Sequence, residues 1–255
     1  MSLVEFMVEG AVAKITLNRP PVNALDRGLI AEIGSAVQRA SDPAIRAVVV
    51  TGQPHFAAGA DITGFQESFD RGDEERQASG LLEVVAALES LAKPTIAAVF
   101  GYALGGGLEL SMGADFRYLA EGAKVGQPEI NLGLIPGAGG TQRLARIVGA
   151  QRAKELCMSG RHVAAPEALA VGLADRVEAD DDLLGLAMAD AARYAAGPTK
   201  AYAAVKGAVR TGFGRPLEEG LAIEAEAFAS VFASEDARRG VRAFLAKEKP
   251  EFVGH

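Results

Sequence analysis

The sequence predicts an α/β fold on three observations. Short runs rich in valine or isoleucine, at Val12–Leu17, Arg46–Thr51 and Thr95–Phe100, each stop at proline or glycine, as strands do. Between and after them, apolar residues recur at three and four positions, the spacing of a helix with one buried face. Of 255 residues, 49% are hydrophobic and 30 are glycine, enough for a real core, in one large or two modest domains, and for many turns.

In chain order, Val12–Leu17 alternates as a strand and Asn18-Arg19-Pro20-Pro21 stops it. Within Leu25–Ala40 the residues Leu29, Ile33, Ala36 and Val37 form one helical face, and Ser41-Asp42-Pro43 ends it. Arg46–Thr51 carries valine on both faces, as a strand covered on both sides does. Ala57–Ile62 is a small-residue turn able to present a backbone N–H. Ala60 stands ten positions after Val50 and Gly106 ten after Ile96, a weak internal repeat of strand, turn, strand and helix wound in one direction. The polar stretch from Phe65 to Ala78 is expected as a mobile surface segment before a helix at Leu81–Leu91.

The stretch Gly101–Glu129 organises the chain. Thr95–Phe100 reads as a buried strand, Gly101–Gly107 breaks it, and Leu108 onward resumes at helical spacing. A helix start leaves N–H groups unpaired and locally positive, and glycine lets a ligand approach them. Glu109 lies just inside that helix end, and a second carboxylate, Glu129, follows in Gly126-Gln127-Pro128-Glu129, where proline argues for a loop or strand edge. Beyond it come Ile130–Ile135, the turn Pro136-Gly137-Ala138-Gly139-Gly140 and a helix from Thr141, taken as its cap, to Val148. Pro166–Val171 is a short helix and Leu173–Val177 an edge strand.

From Leu183 the chain turns alanine-rich and helical, broken at Gly197-Pro198 and Gly212–Pro216. Leu217, Leu221, Phe228 and Phe232 make one stripe; Ser234 with Glu235 and Asp236 caps a further helix whose Val241, Phe244 and Leu245 make another. Residues 1–190 are therefore expected to form the core with the site, and 191–255 a helical region for packing and oligomerisation.

Composition excludes several classes. A net charge of −7 disfavours nucleic acid and membrane surfaces as partners. One cysteine, Cys157, rules out an intrachain disulfide, and three separated histidines lack metal-ligand spacing. No apolar run reaches membrane-spanning length and Met1–Gly10 is acidic rather than leader-like, so a cytoplasmic protein is expected. Cys157 with His162 lacks a third orienting group for nucleophilic catalysis. Neither Gly105-Gly106-Gly107 nor Gly137-Ala138-Gly139-Gly140 completes a dinucleotide pattern, and no phosphate-loop lysine follows either. A carboxylate pair beside glycine-rich backbone donors remains.

Five motifs, together with the terminal Asp236–Phe252, carry a resemblance to a known family. They are Asn18-Arg19-Pro20 with Asn23-Ala24-Leu25, His55–Ile62 (HFAAGADI), Gly101–Leu110 (GYALGGGLEL), Gly126–Ile130 (GQPEI) and Ile135–Leu144 (IPGAGGTQRL). Over essentially its whole length the chain resembles the enoyl-CoA hydratase, or crotonase, family, and the two glutamates resemble its hydratase branch. The resemblance implies a spiral of β-β-α units with a helical C-terminal region, assembled as a homotrimer or dimer of trimers. It implies Glu109 and Glu129 as catalytic residues flanking a water, and the N–H groups of Ala60 and Gly106 as the oxyanion hole for an acyl-CoA thioester. Further substrate contacts are implied at Ala24, Ala58, Asp61, Ile62, Thr63 and Gly137. No cofactor is implied, since coenzyme A is part of the substrate. Thr63 departs from the basic residue that many relatives carry there, which leaves Arg27, Lys247 and Lys249 as candidates for phosphate contacts. The implied activity is reversible hydration of a 2-enoyl-CoA; the alternatives are double-bond isomerisation or a silent acyl-CoA-binding protein.

Overall fold

The computed structural model describes residues 2–64, 70 and 74–255. Two sheets and a series of helices share one core. Strands β1 (Val4–Glu9), β2 (Val12–Leu17), β3 (Ala47–Gly52), β4 (Thr95–Val99), β6 (Phe116–Ala120) and β9 (Arg176–Glu178) form a six-stranded sheet in the order β1-β2-β3-β4-β6-β9. Only β1 runs antiparallel to its neighbour, as the first arm of a hairpin with β2 turned at Gly10; the other pairs are parallel. Strands β5 (Tyr102–Leu104), β7 (Lys124–Gly126) and β8 (Val163–Ala164) form a small second sheet.

Among the described residues the helices include α1 (Arg27–Arg39), α2 (Glu74–Ser90), α3 (Gly106–Met112), α4 (Gly140–Val148), α5 (Ala150–Ser159), α6 (Ala165–Ala170), α7 (Asp180–Ala195), α8 (Thr199–Gly212), α9 (Leu217–Phe232) and α10 (Glu235–Ala246). In α1 the buried residues are Leu29, Ile33, Ala36 and Val37, the face read from spacing, and Asp26 caps it by accepting from Leu29 N. Every residue of β3 and β4 is buried, which accounts for their unbroken apolar texture. Helix α7 crosses β2, β3, β4, β6 and β9 and runs through position 190 without a break. Helices α8 and α9 pack mainly on each other and contain no fully buried residue. Ser234 caps α10 through a bond from Ala237 N, as expected.

Other expectations are corrected. The expected surface segment falls largely outside the described residues, and from Glu74 the chain is already helical. The glycine break at 101–107 contains β5, whose three residues pair with β7. Helix α4 begins at Gly140 with Gly139 as its cap, not Thr141, because a distant carboxylate satisfies its first N–H. Glu129 lies on a 3₁₀ turn, Pro128–Leu132, with proline in its first position.

Candidate active site

Two backbone segments converge through one bridge. Ala57 pairs in parallel with Ala103, and Ala60 and Gly106 each follow three residues later. Ala60 is also bridged to Leu25, whose N–H and carbonyl bond Gly59 O and Asp61 N, so the ladder leaves Ala60's own N–H unused. Gly106 is the first residue of α3, where an N–H has no intrahelical partner. A Cβ on Gly106 would lie 3.9 Å from Ala60 N, which puts the two predicted donors side by side.

Glu109 is one turn further along α3 and only 2% exposed. Its Oε1 accepts from Ala138 N and Gly140 N, both at 2.7 Å. Burial raises its pKa; the bonds from Gly140 and Ala138 and the charge of Arg143 oppose that rise. Glu129 is half-buried. Burial pushes its carboxyl up to about 7, its own backbone N–H opposes this, and the negative charge of Glu109 adds to it. Gly105 separates the two carboxylates' supports: its φ is +50°, and a Cβ there would meet Glu129 Oε1 at 2.8 Å, so only glycine fits.

Gln127 is fully buried and, with its amide nitrogen turned to Glu129, donates to Oε1 at 3.0 Å and Oε2 at 3.1 Å. Sequence reasoning assigned it no role, although a polar residue held between Gly126 and Pro128 was the available signal. Nor did it find Arg19, which ties Ala24 O (3.0 Å), Asp26 (3.0 Å) and Asp61 (2.6 Å) together. Buried Asn23, at φ 52°, accepts from Arg19 N and donates to His55 O, fixing the same segment to the turn before Ala60.

The remaining candidates lie around this centre. Ala24 and Ala58 are half-buried, and Ala58 N bonds Val22 O. Asp61 accepts from Thr63 Oγ1 and N and from Arg19; those bonds lower its pKa, so it acts as a turn cap and ion-pair partner. Ile62 and Thr63 are exposed on the 3₁₀ turn Ile62–Gly64, and Gly137 is exposed immediately before Ala138. Arg27 opens α1, two residues after Leu25, whereas Lys247 closes α10 at φ 57°. Cys157 feels the same carboxylates: burial, then the charges of Glu129 and Glu109, push its thiol up, the opposite of nucleophile activation. Among the described residues no group of His, Cys, Asp or Glu is placed to hold a metal, and no helix is long and apolar enough to cross a membrane.

Chemically, the site offers two main-chain donors at one end, a buried carboxyl, Glu109, that accepts from two N–H groups, and a second carboxyl, Glu129, pushed up to about 7. Comparison with known proteins identifies the family. Residues 7–255 match the family model described as enoyl-CoA hydratase/isomerase. The chain is 38% identical over 257 residues to a probable enoyl-CoA hydratase of Bacillus subtilis, with full coverage of both. It is 40% identical to a crotonyl-CoA hydratase of Syntrophomonas wolfei, covering 96% of this chain and 95% of that one. The crystal structure of an enoyl-CoA hydratase from Bacillus anthracis superposes with a TM-score of 0.93 at 35% identity, covering 99% of this chain and all of the other.

Proposed function

Because the chain belongs to the enoyl-CoA hydratase/isomerase family, we propose that its carboxylate pair adds water reversibly across the double bond of a 2-enoyl-CoA, giving a 3-hydroxyacyl-CoA. The protein is an enoyl-CoA hydratase, a hydro-lyase. The observation that carries the mechanism is the difference in how the two glutamates are held: two backbone N–H groups and Arg143 favour the charged form of Glu109 against its burial, while burial and Glu109 lift Glu129 to about 7.

In this reading the thioester oxygen lies on Ala60 N and Gly106 N, where negative charge grows as the enolate-like transition state forms. That polarisation makes C3 electrophilic. Glu109 takes one proton from water as the water oxygen bonds to C3; the π-electron pair moves to C2 and accepts the proton of Glu129. The amide of Gln127 then donates to the resulting carboxylate. Proton transfer from Glu109 to Glu129 restores the starting state. The coenzyme A of the substrate is the only cofactor-like group required, and Ala24, Ala58, Asp61, Ile62, Thr63 and Gly137 form the surrounding substrate walls.

Residues 1–190 carry this chemistry and 191–255 serve assembly. Support comes from the apolar side chains that α9 and α10 leave exposed: Phe228 and Phe232 at 66%, Phe244 at 82% and Leu245 at 76%. A cavity of about 990 Å³ lies between Val205, Val209 and Phe213, of α8 and its end, and Glu89, Gly139 and Arg143. We infer a homotrimer, or a dimer of trimers, working in the cytoplasm.

The test is to follow loss of the conjugated thioester absorbance when purified protein meets crotonyl-CoA. Rapid loss with formation of 3-hydroxybutyryl-CoA is expected. Gain of conjugation from a 3-enoyl-CoA with negligible hydration would replace the assignment by isomerisation.

A further inference from the structure

The turn that grips Glu109 is itself gripped from behind. Arg143, on the first turn of α4, donates from Nη1 to Ala138 O at 3.0 Å and from Nη2 to Glu89 Oε2 at 2.7 Å. Glu89 stands at the C-terminal end of α2. Residues 138–140 are thus held on two sides: the N–H groups of Ala138 and Gly140 face Glu109, and the carbonyl between them faces Arg143. Gly139 permits this only because it is glycine. Its φ is +99°, and a Cβ there would collide with Arg143 Nη1. The Arg143 side chain is 14% exposed and its Nε is buried without a partner among the described residues, a cost accepted to bring the other two nitrogens to bear.

We propose that Arg143, steadied by Glu89, is a positioning residue for hydration: it fixes the 138–140 turn so that both N–H groups meet a single oxygen of Glu109 and leave the other for the reacting water. The proposal rests on the hydratase reading above. A planar guanidinium suits the task because its fork addresses a carbonyl and a carboxylate at fixed angles. Among the described residues the charged and titratable groups that act on Glu109 or feel its charge are Arg143 from α4, Glu129 from the 3₁₀ turn and Cys157 from α5; α2 contributes Glu89 through Arg143. Without Arg143, Glu109 loses its positive neighbour and its two donors lose their anchor. Both changes disfavour the ionised form.

Arg143→Gln, Arg143→Lys and Glu89→Gln, compared with wild type, test this. Arg143→Gln is expected to lower kcat with crotonyl-CoA by about 10- to 100-fold, the scale of a small misplacement of a reacting group, with little change in KM. The acid limb of kcat/KM should move to higher pH. Arg143→Lys should return that limb toward wild type while recovering only part of kcat, and Glu89→Gln should show a smaller loss. Infrared titration of the Glu109 carboxyl, taken as the difference from Glu109→Gln, should show the same upward movement in Arg143→Gln whatever the activity. If wild type hydrates and folded Arg143→Gln matches it within twofold, with neither the limb nor the carboxyl titration displaced, the clamp is wrong. If wild type does not hydrate, the reaction assignment fails, and the infrared titration still decides whether Arg143 governs Glu109. Should Arg143→Gln not fold, wild-type pH behaviour and kcat in both Arg143→Lys and Glu89→Gln would overturn the proposal.

Discussion

Ala57 and Ala103 form a parallel β-bridge that brings the turn after β3 against the start of β5, and Ala60 and Gly106 inherit their closeness from it. Gly106 is the first residue of α3, a position where proline is tolerated because its N–H has no helical use. Gly106→Pro should therefore remove the donor while keeping the helix, and lower kcat by about 10²–10³-fold, as loss of one oxyanion donor does. Gly106→Ala keeps the N–H and places its Cβ 2.8 Å from the movable end of Leu81, so it should retain far more activity. Equal kcat in the two variants would contradict the assigned donor.

The two glutamates act on one proton path, so their removal should not be additive. Glu109→Gln and Glu129→Gln are each expected to lose about 10²–10⁴-fold in kcat, and the double variant to lose little more than the worse single one. Steady-state kinetics on the three variants would check this; losses that multiply would mean independent roles.

The pH dependence follows from the Glu129 carboxyl, pushed up to about 7 by burial and by Glu109. It must be protonated to deliver a proton to C2, so kcat/KM should fall about tenfold per pH unit above that value. A profile measured from pH 5.5 to 9 that stays flat, or rises, above neutrality would exclude Glu129 as the proton donor.

The same group should cost stability. Its folded pKa lies above the usual 4.5, so the folded state binds the proton more tightly than the unfolded chain; stability is full below about 4.5 and declines as pH rises through about 7. After allowance for partial solvent screening the cost is on the order of 1–2 kcal/mol. Glu129→Gln should gain that amount at pH 8 and almost nothing at pH 4.5 in denaturant unfolding. A variant less stable than wild type at pH 8 would show that the carboxylate is well accommodated.

Much of this arrangement was legible in the sequence. β2, β3 and β4 announced themselves because burial on both faces demands unbroken apolar runs, and α1 because only one face is buried. β5, β7 and β8 did not, since strands of two or three residues exist through pairing in space rather than local preference. β6 was hidden by Arg117, a charge that reads as surface yet is buried against Leu173 O, Ala114 O and Asp175. Glu109, Glu129 and the glycine turns were singled out by residue type and spacing, and the roles expected of them came from the family resemblance. Arg143, Gln127 and Asn23 were not, because each acts through a carbonyl, a carboxyl or an amide brought near only by folding.

The central claim is that both carboxyls and both amides face one reacting thioester. A crystal structure with an unreactive acyl-CoA bound tests it most directly. The account predicts the thioester oxygen within about 3 Å of Ala60 N and Gly106 N, with C2 and C3 lying between Glu109 and Glu129. A thioester bound elsewhere, or one whose reacting carbons reach only one of the two glutamates, would contradict it.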